Sequence, residues 1–223
     1  MFSERTFEFL QQLETHNSRD WFKQHQVDYE AQVRAPALSF ISDMAPGIQA
    51  LSPRLTAVPR KVGGSMMRPQ RDTRFSADKR PYKTNIGIQF RHFQGKDVHA
   101  PGLYVHIAPD ECFLGAGIWH PDAGALRAIR QCLDENPRGW NTAVAALKAA
   151  GFALDGDSLI RPPKGFDASH PLLVDLKRKD FIAVLPVTRE QVLNHDFCTF
   201  CLTKFNAVSQ LMAYLCFAMD LDY

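Results

Sequence analysis

The chain has 223 residues, 45% hydrophobic and 22% charged, and a net charge of +2, the balance of a soluble globular protein long enough for one well-cored domain. No basic leader precedes an apolar run, and the best apolar stretch, from Phe181 to Val187, is far too short to span a bilayer, so a cytoplasmic protein without a membrane partner is expected. Five scattered cysteines without scaffold spacing point to reduced thiols rather than a disulfide framework.

The first third reads as helix. Ser3 is placed to cap a helix carrying Phe7, Leu10 and Leu13, and Ser18 to cap a second with Asp20 in its first turn. Trp21, Phe22, His25 and Tyr29 share one face of that helix, and packing is the expected use of Trp21 and Phe22. Pro36 should kink or restart the helix, after which Leu38, Ile41, Met44 and Ile48 continue an apolar stripe to Ser52-Pro53.

Charge then changes character. Between Arg54 and Lys96 stand eleven basic and two acidic residues, a net of +9 that leaves −7 for the rest of the chain. At its centre runs Arg71-Asp72-Thr73-Arg74-Phe75-Ser76-Ala77-Asp78-Lys79-Arg80-Pro81-Tyr82-Lys83-Thr84-Asn85. Arg71 and Arg74 offer planar forks for oxyanions, Lys79 and Lys83 point charges, and Ser76 and Tyr82 hydroxyls, with Phe75, Pro81 and Tyr82 to fix the run against a core. Asp72 and Asp78 would orient these cations, and Asp72 is a candidate proton acceptor. The plain alternative is a solvated loop with local Asp–Arg pairing.

The motif R-D-T-R-F-S-x-D-K-x-P-Y-K-T-N resembles the signature of the domain-of-unknown-function 2461 family of conserved hypothetical proteins. Further blocks match in order, among them Phe7-Glu8-Phe9-Leu10, Trp21-Phe22, Arg34-Ala35-Pro36, Pro101 to His106, Phe113 to Gly117 and Pro163 to Phe166. The chain departs from the family pattern at His16, where Asn is usual, and at His25-Gln26, where an Asn-Lys pair is usual. The resemblance implies no activity.

After the motif the period becomes two. Ile86 to Arg91, Leu103 to Ile107 and Cys112 to Trp119 read as three consecutive antiparallel strands, with Arg91, Tyr104 and His106 sharing the face opposite the core. Arg91 thereby joins the candidate anion site, and His106 is the candidate acid or base beside it. Gly115 and Gly117 strip one face of the third strand, which admits a helix or a ligand, the helix being the first expectation.

Asp122 and Asn136-Pro137 start two helices, one with Leu126, Ile129 and Leu133, the other with Trp140, Val144 and Leu147, closed by Gly151. Residues 160–166 form a loop that adds Arg161 and Lys164 to the basic set. Phe181 to Leu185 is a further strand, and a mostly apolar terminal helix runs from about Arg189 to the end. The sum is an α+β fold, a mainly antiparallel sheet packed with N- and C-terminal helices in a single domain over 1–223. Its helical part is 1–53, its basic motif and sheet 54–120, and its mixed remainder 121–223.

No cofactor fingerprint is present, neither G-x-G-x-x-G, phosphate loop nor nucleophile elbow, and no metal set. Cys198 and Cys201 form one C-x-x-C without a second pair. Three functions remain open. The first is an enzyme or binder acting on a phosphorylated or carboxylated small molecule. The second is a nucleic-acid module with Trp21, Phe75 or Tyr82 stacking on bases, weakened by the low net charge, and the third a partner-binding scaffold with an internal ion-pair network.

Overall fold

Three alternating runs in the middle of the chain pair with one another in the order in which they occur. The structure, a computed structural model, describes residues 1–74, 76–94 and 100–223. Phe75, expected to brace the motif or stack on a base, and Lys96, counted among its cations, lie outside the described residues. Strands β1 (Ile86–Arg91), β2 (Gly102–Ile107) and β3 (Cys112–Ile118) are joined by β4 (Ala153–Asp155) and β5 (Phe181–Pro186) in the spatial order β1-β2-β3-β5-β4, every neighbour antiparallel. Strand β4 was not expected. It has three residues, two of them exposed, and owes its conformation to its pairing with β5.

Period two divides the residues between the two faces. Ile86, Ile88 and Phe90, Leu103, Val105 and Ile107, Leu114, Ala116 and Ile118, and Phe181 and Ala183 are all buried on one side. Against them lie α4 (Ala35–Leu51) on β1 and α10 (Ser209–Ala218) on β3, with α5 (Ala123–Glu135) and α6 (Pro137–Ala149) packed outside α10. The α5 and α6 caps form as expected: Asp122 Oδ1 accepts from Ala125 N at 2.8 Å and Asn136 Oδ1 from Gly139 N at 3.0 Å. The terminal apolar stretch is three helices rather than one, α8 (Arg189–Leu193), α9 (Phe197–Ala207) and α10, after a short α7 (Leu173–Leu176). Asn194 breaks the first junction by accepting from Asp196 N at 2.9 Å.

At the N-terminus, α1 (Glu4–Thr15), α2 (Arg19–Gln24) and α3 (Gln26–Tyr29) lead through a π-helical turn at Glu30–Arg34 into α4. Pro36 explains the wide turn. It has no N–H to give to the carbonyl of Gln32, and that oxygen is satisfied instead by the buried Thr6 hydroxyl of α1 at 2.8 Å. Phe22 is buried as expected, and Tyr29 with it, whereas Trp21 is only partly buried, stacked on the rings of His25 at 4.1 Å and His16 at 5.8 Å.

The outer edge of β1 is covered by two stretches of the basic segment. Thr56 N donates to Arg91 O, while Met67 N donates to Gly87 O and Gln89 N to Ser65 O, which leaves little of that edge open to another chain. Between Met67 and β1 the motif makes a closed excursion. Its neck is shut by the antiparallel bridge Gln70–Tyr82, with Arg71 N donating to Pro81 O at 2.9 Å and Lys83 N to Pro69 O at 2.7 Å.

Candidate functional site

The sheet face away from the helices is where the chain leaves room. Here three cross-strand rows lie side by side. Gly87, His106, Phe113 and Pro186 make the first, and Gln89, Tyr104, Gly115, Val184 and Ala153 the second. Arg91, Gly102, Gly117, Ile182 and Asp155 make the third. Four of these positions are glycine, and a cleft of about 450 Å³ opens over the rows, within the range of small-molecule sites. The expected helix does not cover Gly115 and Gly117. Helix α10 packs on the opposite face of β3, that of Leu114 and Ile118, so the glycine face borders the cleft instead.

The glycines act differently. A Cβ at Gly115 would meet Tyr104 Cβ at 3.4 Å, an ordinary contact, so this position is small in order to leave space. Gly117 has φ of +122° and a Cβ there would collide with the Phe181 carbonyl oxygen, so its requirement is backbone. A Cβ at Gly87 would lie 2.6 Å from the Tyr104 hydroxyl. Gly87 therefore lets the tyrosine lean across β1 toward the end of the cleft.

At that end the polar groups gather. His106 Nδ1 lies 3.2 Å from Tyr104 Oη and 3.4 Å from Asn85 Nδ2, both of them donors, which makes Nδ1 the acceptor and leaves the ring proton on Nε2. The imidazole stacks flat on Phe113 at 4.5 Å. Burial pulls the His106 pKa below the ordinary histidine value, against the opposing charge of Asp110, and so favours the neutral ring. Burial also pushes the Tyr104 hydroxyl up to about 12, keeping it a donor. Lys83 enters from the neck of the motif, its ammonium 4.0 Å from Met67 Sδ. Burial first, and then the charge of Arg68, lower its pKa. Glu111 at the β2–β3 turn, and Trp119 and Asp155 at the far end, complete the polar and aromatic wall, while Ile182 and Val184 supply apolar floor.

Of the residues expected at the site, His106 and Lys83 line the cleft; Tyr82, Arg71, Arg74, Ser76, Lys79, Arg91 and Asp72 do not. Arg71 pairs with Asp78, which also holds Arg80 at 2.8 Å, and Arg74 is paired with Asp72 at 2.7 Å. Lys79 donates to Thr73 O at 3.0 Å. The Asp72 carboxylate, held by Arg74, is lowered to about 2, which makes it a weak base. Ser76 is half-buried in the loop, and Arg91 is in the third row opposite Gly102. Arg161 and Lys164 are exposed in their loop. Tyr82 is structural here: its ring stacks on Phe22 at 4.0 Å, and the Asn17 amide clasps its backbone N–H and C=O at 3.0 Å each. That clasp fixes Lys83 and Asn85, which follow directly.

Sequence reasoning named Tyr104 on the correct face but missed Met67, Glu111, Trp119 and Asp155. The Gly115/Gly117 pair was the signal that space lay beside them. Cys198 and Cys201 lie on α9, the latter fully buried, and among the described residues no group of three metal-ligating side chains forms. Among the described residues no helix is long and apolar enough to cross a membrane.

A family model described as conserved hypothetical protein (DUF2461) matches residues 5–214. Neither a curated protein nor a solved structure matches the chain.

Proposed function

The chain belongs to the DUF2461 family of conserved hypothetical proteins, and for this member we propose that the open face of the sheet binds a small anionic molecule, a carboxylate or a phosphorylated compound. One observation carries the reading: Lys83, Asn85, Tyr104 and His106 converge at one end of a cleft whose floor is otherwise glycine and apolar side chain. A charged head is met there by the Lys83 ammonium, the His106 Nε2–H and the field of Arg68, and the body of the ligand lies over Gly115 and Val184. A neutral histidine whose Nδ1 faces Asn85 and Tyr104 is also equipped to polarise a carbonyl of such a ligand through its Nε2–H. A cytoplasmic setting belongs to the same reading and is supported by five cysteines that are all free thiols.

Nucleic acid is the lesser reading, because Arg71, Arg74 and Arg80, which would contact phosphates, are already engaged by Asp72 and Asp78. The deciding experiment is a thermal-shift screen of carboxylates, sugar phosphates and nucleotides, followed by calorimetry on the hits. His106→Ala and Lys83→Ala should each weaken a true ligand about 10- to 100-fold, as loss of a charged or buried hydrogen bond does, while Arg74→Ala leaves it unchanged. A ligand that responds to Arg74 and Arg71 but not to His106 places the site in the loop and overturns the reading.

A further inference from the structure

Among the described residues Lys83 is the one lysine or arginine that lines the cleft, and its surroundings are unusual for a structural lysine. No carboxylate lies within ion-pair distance of its ammonium among the described residues, although Glu111 and Asp155 line the same cleft. Its ammonium lies 4.0 Å from the thioether sulfur of Met67. Its backbone is held at the neck of the motif by Pro69 O and by the Tyr82 clasp one residue earlier, so the side chain projects from a fixed base. A flexible, solvated surface amine has none of these features.

We infer that Lys83 is an amine nucleophile that forms an imine with a small anionic aldehyde or ketone, such as an oxo acid or a phosphorylated carbonyl compound. This rests on the proposed anion-binding reading of the cleft and gives that ligand a reactive group. Burial and the neighbouring positive charge of Arg68 lower the Lys83 pKa and so enlarge the neutral fraction that attacks, and in that form the anionic head is left to the His106 Nε2–H and the field of Arg68.

The chemistry balances within the site. The Nζ lone pair forms a bond to the carbonyl carbon while the C=O π pair moves onto oxygen, which takes a proton. Nζ then passes a proton through solvent water to the oxygen, which departs as water as the nitrogen lone pair closes the C=N bond, leaving the iminium; loss of its remaining N–H proton returns the one first taken up. Amine and carbonyl thus become imine and water, with no oxidant or reductant. The His106 Nε2–H, with Nδ1 facing Asn85 and Tyr104, lies at the same end of the cleft, where it hydrogen-bonds and polarises the carbonyl oxygen while solvent water carries the protons. The iminium so formed draws electrons from the adjacent carbon, the usual purpose of such a step.

The test is reductive trapping on the whole protein. Glyoxylate, pyruvate and glycolaldehyde phosphate, with uncharged propanal as the comparison, are each incubated with the protein and cyanoborohydride near neutral pH, and the product is read by intact mass and peptide mapping. The expected result is one adduct per chain on Lys83, formed about tenfold faster than on the exposed Lys61 and Lys79, as an activated amine in a cleft requires, and absent from Lys83→Arg. Adducts distributed by exposure, with Lys83 not ahead for any probe, overturn the inference, and mapping of the unmutated chain gives this answer without any variant. Calorimetric binding of a probe without a Lys83 adduct overturns the amine chemistry alone. Equal trapping of propanal and glyoxylate on Lys83 supports the amine chemistry while overturning the preference for an anion.

Discussion

His106 is neutral in the fold because burial penalises its charge, and that has a thermodynamic sign. Its pKa in the folded state lies below the ordinary value, so as pH falls through the histidine range the unfolded chain takes up a proton before the folded one. Stability contributed here is full above that range and declines as pH falls through the unfolded value toward the folded one. Urea titrations between about pH 7.5 and 5.5 should show a decline in unfolding free energy that is shallower in His106→Gln. A second residue, Asp180, is almost fully buried and accepts from His120 N at 2.8 Å, Asp157 N at 3.0 Å and the His120 ring at 3.0 Å. It ties the strand ends bordering the cleft together and holds His120 at a φ of +48°. Asp180→Ala strands two amides and should cost about 3–5 kcal/mol in chemical denaturation, with Asp180→Asn, which keeps one oxygen, losing less.

Among the elements, β1 to β3 were legible because alternation over six or seven residues with one buried face has few other solutions. Strand β4 was illegible because three residues, two of them exposed, are too few to carry a period, and the break between α9 and α10 at Val208 was hidden by apolar residues on both sides. His106 and Tyr104 could be placed on one face from period two alone. That this face is uncovered could not be read, since a glycine pair admits a helix and a ligand equally and only the path of α10 decides. The two glycines separate these roles in a measurable way. Gly115→Ala has room and should change stability by no more than about 0.5 kcal/mol, whereas Gly117→Ala forces a left-handed backbone against a carbonyl and should cost about 2 kcal/mol or more. If Gly115→Leu remains folded by circular dichroism yet binds the ligand as well as the unmutated protein, the cleft is not the site.

At the scale of the molecule, the concentration of positive charge along the sequence does not become a bare positive surface. The acidic remainder reaches into the basic segment: Glu30 pairs with Lys61 at 3.2 Å, and Asp222 with Arg54 at 2.8 Å from 168 residues away. Within the motif Asp72 and Asp78 hold three arginines, and the resulting carboxylate pKa values, about 2 for Asp72 and lower for Asp78, mean that these pairs persist until strongly acid pH. A sequence shows the charge count of a segment, but partners from distant segments are set by the fold. Phosphate contacts made by cations already paired must displace a carboxylate, so a single-stranded oligonucleotide should bind weakly, with no more than about one or two counterions released. Fluorescence anisotropy across a salt series from about 50 to 200 mM measures this directly, since a protein that uses the whole basic segment loses affinity by about 10³-fold or more over that range. A slope that steep, abolished by Arg74→Ala but unaffected by His106→Ala, would move the working surface of this protein from the cleft to the loop.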